Sequence, residues 1–207
     1  DDSGNFKEVG KLSFNCPKFI KEFKQYVGDL QVKAILEVGS YSGELKNAVG
    51  ADGIDINPKL PEVEKCDIRD YKTDKLYGLV FSSGLLGHYD NKEAKAIIKA
   101  MAKLSKKYVL NYVPNSNCLA YKNAKKKSKA QWKDEADFTE ESLAKLHEEA
   151  GLEVVETGTA GKEWAKRFGK ESSEPYLVYC LAQKKVGREE WQTEKNNSVA
   201  EFAIPEE

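Results

Sequence analysis

Little in this chain marks a specialised scaffold, and each absence excludes a class. No apolar run is long enough to cross a bilayer. The formal net charge is only −1, which argues against a surface built broadly for a polyanion. The four cysteines (Cys16, Cys66, Cys118, Cys180) are scattered, with no C-x-x-C pair and no histidine cluster beside them. That spacing fits reduced thiols rather than a disulfide framework or a zinc site, so no metal and a cytoplasmic setting are expected. The opening Asp1-Asp2-Ser3-Gly4-Asn5 does not read as a signal peptide. No internal repeat is visible. What remains is a chain of 207 residues, 40% hydrophobic and 32% charged, enough for one domain with a full core.

The chain is organised around Lys33 to Gly43, KAILEVGSYSG. Ala34, Ile35, Leu36 and Val38 form a short apolar run bounded by glycine, as in a strand buried on both faces of a parallel sheet. It leads into Glu37-Val38-Gly39-Ser40-Tyr41-Ser42-Gly43. Gly39 permits a tight turn, and Gly43 permits close approach of the backbone to a ligand or the next helix. A helix from Glu44 to Val49 would aim free N–H groups at a ligand in that turn. The dinucleotide fingerprint G-x-G-x-x-G is not met, because Ser40-Tyr41 follows the first glycine.

The chain then alternates between the two periods. Phe19, Ile20, Phe23, Tyr26 and Val27 recur at helical spacing between Pro17 and Gly28, so a leading amphipathic helix is expected over about 14–28. It would cover the sheet or help close a pocket. Gly53-Ile54-Asp55-Ile56 reads as a second strand ending in an acid, ended by Pro58. A carboxylate there suits the two hydroxyls of a ribose. Val63 to Asp70 supplies a weak third strand and the pair Asp67-Ile68. Leu79-Val80-Phe81 is a buried fourth strand with Ser82-Ser83-Gly84 at its end, where open parallel sheets place ligands. Asp90 caps a helix whose stripe is Ala94, Ile97, Ile98, Met101 and Leu104. Tyr108-Val109-Leu110 marks the fifth strand, and Leu152 to Glu156 and Tyr176 to Ala182 the last two. His147, on one face with Leu143, Leu146 and Ala150, is expected to pack against the sheet.

Taken in order, Glu37-x-Gly39-x-x-x-Gly43, Asp55, Asp67-Ile68 and Ser82-Ser83-Gly84-Leu85-Leu86-Gly87-His88 resemble the motifs of class I S-adenosylmethionine (SAM) dependent methyltransferases, small-molecule type. The resemblance spans roughly Ala34 to Lys184. It implies a Rossmann-like three-layer α/β/α sandwich with a seven-stranded, mostly parallel sheet and an antiparallel last strand. It implies SAM as cofactor, S-adenosylhomocysteine as product, and a pocket from Glu37, Gly39, Ser40, Tyr41, Gly43, Asp55, Ile56, Asp67, Ile68, Ser82, Ser83 and Gly84. Asp55 would take the ribose, Asp67 the adenine amine, and Ile68 the ring. The chain departs from the family at Gly78, just before the fourth strand, where an Asp is common. The fifth strand ends in Val113-Pro114-Asn115, not the N-P-P-Y of amino-methylating DNA enzymes.

The expected reaction is transfer of a methyl group to an O or N atom of a small-molecule acceptor. His88 is the candidate base, or else a histidine closing a turn over the cofactor; Tyr89, Tyr112 and Tyr121 are candidate substrate-orienting groups. Residues 115–137, with Lys122, Lys125, Lys126, Lys127, Lys129 and Lys133, read as a lid, an anion site or a solvated face. Nucleic acid is not the expected partner, since regularly spaced aromatics are missing. The alternatives are methylation of RNA or protein, and a degenerate SAM-binding module acting through protein partners. Residues 1–185 would form the domain and 186–207 a charged tail anchored by Trp191 or Phe202. Oligomeric state is left open.

Overall fold

The structure is a computed structural model that describes residues 16–127, 135–163, 165 and 174–185. Trp132, Lys129, Lys133, Trp164, Phe168 and the tail with Trp191 and Phe202 lie outside the described residues. Seven strands form one sheet: β1 (Ile35–Val38), β2 (Asp52–Asp55), β3 (Glu64–Lys65), β4 (Tyr77–Ser83), β5 (Ser105–Pro114), β6 (Leu152–Ala160) and β7 (Leu177–Lys184). Their order is β3-β2-β1-β4-β5-β7-β6. The first five run parallel, and β7 lies antiparallel between β5 and β6. The strand order reverses beside β1, so the C-terminal ends of β1 and β4 open onto a crevice at the switch point.

Strand periodicity divides the core into two layers. On β4, Val80 faces one layer with Ile97, Ile98 and Met101 of α3 (Asn91–Leu104) and Leu143 and Leu146 of α5 (Glu140–Glu149). Leu79 and Phe81 face the other, with α1 (Pro17–Asp29) and Tyr121 of α4 (Leu119–Lys127). Asp90 caps α3 by accepting from the Glu93 N–H at 2.8 Å, and Thr139 caps α5 in a reciprocal box with Ser142. A short helix, α2 (Glu44–Val49), follows the β1 turn between two glycines in the left-handed region.

The leading helix covers the sheet. Phe19, Phe23 and Val27 are buried, with the Phe23 ring 4.9 Å from Phe81 and the Phe19 ring 5.5 Å from Tyr112. Truncating a buried Phe of this kind costs about 3–5 kcal/mol. Tyr112 is therefore part of this aromatic layer, also touching Tyr179, and is not a substrate-orienting group. Gly78 is the second residue of β4, at the end of the strand away from the crevice. Its N–H bonds to the carbonyls of Lys33 and Ala34, and a Cβ would stand 2.6 Å from the Lys33 oxygen. The missing acid at this position is thus a packing requirement and takes nothing from the site.

The stretch expected as a lid begins as packed structure. Ala120, Tyr121 and Ala124 of α4 are buried, and the ends of the excursion are pinned by the Asn115–Phe138 bridge. Lys125 donates to the Glu135 carbonyl at 2.6 Å and to Asp137 at 2.8 Å, whereas Lys122 and Lys126 are exposed.

Candidate cofactor cleft and its surroundings

An open cleft lies at the C-terminal ends of β1 and β2. It is lined by Gly39, Asp55, Ile56, Asp67 and Ile68 among the residues expected from sequence, and by Leu85 and Tyr89 from the turn after β4. Val38, Cys66 and Ile97 complete its apolar base. One acid at a strand end beside exposed Ile56 and buried Ile68 gives a polar edge and flat apolar walls, the chemistry a nucleoside needs.

The turn is built from behind. Glu37 is 5% exposed and points under the turn, not into the cleft. Its Oε2 accepts from Ser40 Oγ at 2.8 Å and from the Lys46 main-chain N–H at 2.9 Å. One of the helix N–H groups expected to reach a ligand, that of Lys46, is therefore spent on Glu37, and Ser40 is likewise occupied. Burial pushes the Glu37 carboxyl up to about 8, against the pull of those two hydrogen bonds. Gly53 on β2 leaves the space that Ser40 fills: a Cβ there would lie 2.7 Å from Ser40 Oγ. Gly43, with φ of 71°, caps α2 against Leu60, which a Cβ would meet at 2.7 Å.

Asp55 faces the opposite way. Its carboxylate accepts from the Tyr41 N–H at 2.9 Å and the Asn57 N–H at 2.6 Å while still lining the cleft. This tethers the β1 turn to the β2 turn and holds Tyr41 at a φ of 30°, an uncommon backbone for a residue with a side chain. The Tyr41 ring carries Lys59 Nζ 4.4 Å from its centroid.

Asp67 lines the cleft, but Arg69 holds its carboxylate through the main-chain N–H at 2.9 Å and through the guanidinium at 2.6–3.1 Å. Arg69 keeps this carboxyl below the usual carboxylate range. Arg69 also sits 5.5 Å from the Tyr89 ring centroid, so it spans both walls at that end. Nothing in the sequence pattern marked this pairing.

The end of β4 does not line the cleft as expected. Ser82 is fully buried and donates to Asn111 Oδ1 on β5 at 2.6 Å. Asn111 Nδ2 lies 2.8 Å from His147 Nε2, and His147 Nδ1 lies 2.8 Å from the Leu143 carbonyl. One assignment satisfies every atom: Nδ1–H donates to Leu143, Nε2 accepts from Asn111, and Asn111 accepts from Ser82. Burial drives the His147 imidazole down to about 4, so it stays neutral. Ser83 is also buried, and Gly84, with φ of 75°, donates its N–H to the Tyr112 carbonyl.

His88, in the one-turn 3-10 helix Leu86–His88, stands outside the cleft lining with its side chain 59% exposed. Its neighbour Tyr89 and nearby Leu85 do line the cleft, which places His88 at the rim. Tyr121 is buried, its hydroxyl 3.3 Å from Glu135. Among the described residues no group of three or more His, Cys, Asp or Glu side chains is placed to hold a metal ion, and no helix is long and apolar enough to cross a membrane.

The sheet order and the cleft at its switch point define the fold of class I SAM-dependent methyltransferases. No protein-family profile and no curated protein matches the chain in sequence. Solved structures do match its fold. A possible histamine N-methyltransferase from Thermotoga maritima superposes with a TM-score of 0.64 at 18% identity, over 81% of this chain and 91% of that one. The N-methyltransferase NodS of Bradyrhizobium japonicum, solved with S-adenosylhomocysteine, gives 0.58 at 16% identity, over 83% and 90%. The magnesium protoporphyrin IX methyltransferase of Synechocystis, also solved with S-adenosylhomocysteine, gives 0.57 at 18%, over 88% and 84%.

Proposed function

We propose that this chain moves a methyl group from SAM to an O or N atom of a small-molecule acceptor. The observation that carries the reading is the Asp55 cleft: a strand-end carboxylate, fixed by two main-chain N–H groups, opens onto apolar walls at the switch point of this fold. Neighbours of the same fold include methyltransferases solved with SAM or its product. The residues fit the group. Asp55 would accept from the ribose hydroxyls, Ile56 and Ile68 would pack on the adenine, and the Gly39 turn would pass close to the cofactor. Asp67 retains fewer lone pairs for the adenine amine than a free carboxylate has, because Arg69 occupies the others.

SAM supplies a methyl already activated by its sulfonium, so the chain has mainly to align an acceptor and exclude water. Leu85 and Tyr89 line the cleft from the turn after β4 and would wall the side toward the acceptor. His88 at the rim is the proposed proton acceptor when the acceptor is a hydroxyl. Internal use of Lys125 removes one cation from the surface that a polyanionic partner would need. The test is incubation with SAM and a panel of phenols, alcohols and amines, following S-adenosylhomocysteine release. Turnover with at least one acceptor is expected; a folded protein that neither binds SAM nor releases product overturns the reading.

A further inference from the structure

The two acids that line the cleft differ in how much of each carboxylate is already taken. Among the described residues, Asp55 accepts one hydrogen bond on each oxygen. The Tyr41 N–H donates to Oδ2 at 2.9 Å and the Asn57 N–H to Oδ1 at 2.6 Å. Asp67 accepts two on each, all from Arg69. Its Oδ1 takes the main-chain N–H at 2.9 Å and Nε at 3.0 Å. Its Oδ2 takes Nε at 3.1 Å and Nη2 at 2.6 Å, so Nε is shared. A carboxylate offers about four lone-pair sites, two on each oxygen. Asp55 therefore keeps a site on each oxygen for a ligand's donors, and those of Asp67 are filled.

The guanidinium that fills Asp67 is anchored on the far wall as well. Its Nη1 lies 3.7 Å from Glu93 Oε1 in the first turn of α3. Its central carbon lies 5.5 Å from the centroid of the Tyr89 ring, which lines the cleft from the turn after β4. An adenine amine reaching Asp67 would have to replace a donor that is charged, chelating and tethered two residues away. Charged, two-pronged pairs of this kind are the stronger sort, so the guanidinium wins.

We propose that Arg69 sets the base specificity of this cleft. By occupying Asp67 it withholds the carboxylate from the 6-amino group of the cofactor. The site then selects a purine nucleoside by the ribose hydroxyls on Asp55 and by the fit of the ring between Ile56 and Ile68, and it accepts one without the amine. The proposal rests on the methyl-transfer reading. Apolar walls give the ring contact area without telling one small 6-substituent from another, so discrimination at that position needs a polar partner. In this chain the partner in reach is already bonded to Arg69.

The test is calorimetric titration with two ligands: S-adenosylhomocysteine, and its analogue carrying hydrogen in place of the 6-amino group. The proteins are the wild type and Arg69→Met, which keeps an unbranched stem beside Tyr89. In the wild type, loss of the amine should weaken binding by less than about threefold. In Arg69→Met, S-adenosylhomocysteine should bind about tenfold tighter and the analogue should not, because the released carboxylate then accepts from the amine. A wild type that binds the analogue about threefold or more weakly overturns the proposal. An Arg69→Met protein with the wild-type ratio of affinities overturns it as well. The wild-type titrations stand by themselves, so a variant that fails to fold does not shelter the proposal. Failure of the folded wild type to bind S-adenosylhomocysteine would sink the methyl-transfer reading, and this proposal with it. Tight binding that depends strongly on the amine would sink this proposal alone.

Discussion

The two halves of the sheet are held together in different ways. On the β1–β2 side, the polar contacts that shape the turns join residues no more than 14 apart: Glu37 with Ser40 and Lys46, Asp55 with Tyr41 and Asn57. Glycines at positions 39, 43 and 53 make room for turns and neighbours. On the β4–β5 side, contacts join distant residues: Ser82 with Asn111, 29 apart; Asn111 with His147, 36 apart. The first kind of contact shapes a cleft and leaves Asp55 facing it. The second consumes its polar groups within the core and shapes stability. Substitutions on the two sides should therefore separate into binding effects and folding effects.

Among the polar residues of the core, the largest folding effect is expected at Asn111. Asn111→Leu strands the buried Ser82 hydroxyl and His147 Nε2, at about 1–3 kcal/mol each. A loss of roughly 3 kcal/mol in chemical denaturation, with SAM affinity unchanged in the folded protein, would support the division. A comparable loss of SAM affinity would break it.

The halves should also respond oppositely to pH. His147 titrates near 4 in the fold but near 6.5 when unfolded, so the unfolded chain gains a proton first as pH falls. Stability is lost between about pH 6.5 and 4, by about 3 kcal/mol in all. Glu37 titrates near 8 in the fold and near 4.5 unfolded, so its contribution is present below 4.5 and lost as pH rises toward 8. Denaturation across pH should show His147→Gln flattening the acid limb and Glu37→Gln flattening the alkaline one. At pH 8 the Glu37→Gln protein should be more stable than wild type by about 2 kcal/mol.

This contrast also explains what was legible in the sequence. The strand positions, the leading helix, Gly39 and Asp55 follow from local pattern: apolar runs, helical spacing, glycine spacing, an acid at a strand end. The antiparallel end of the sheet and the place of Ile56, Asp67 and Ile68 in the cleft rest on the family resemblance. Glu37 and Ser82 were placed at the site on the same pattern, but their side chains turn inward, and no local signal tells which way a strand-end side chain faces when its partner is a main-chain N–H or a residue on the next strand. Arg69 lies only two residues from Asp67, but Tyr89 on the other wall meets it only in the folded chain, so its place across the cleft has no local signal. Gly78 reads as lying just before the fourth strand because that strand begins at Tyr77, two residues earlier than the apolar run Leu79-Val80-Phe81 suggests.

Smaller effects sharpen the boundary. Gly78→Asp should cost about 1–3 kcal/mol by forcing the Lys33 carbonyl aside, with no change in SAM affinity or turnover. A gain of activity would show that the acid belongs to the site after all. Replacing the exposed Lys122 and Lys126 by Ala should change stability by less than about 0.5 kcal/mol and leave acceptor turnover intact. Weakened, salt-dependent binding of a polyanion would instead give this face a function.

The most direct test of the account is calorimetric titration of the folded protein with SAM, beside Asp55→Ala. Micromolar binding is expected in the wild type, falling about 100-fold in the variant, since a carboxylate accepting two ribose hydroxyls contributes about 1.5–3 kcal/mol per hydrogen bond to a charged group. Absence of binding by the folded wild type, or equal affinity in Asp55→Ala, would contradict the assignment of the cleft.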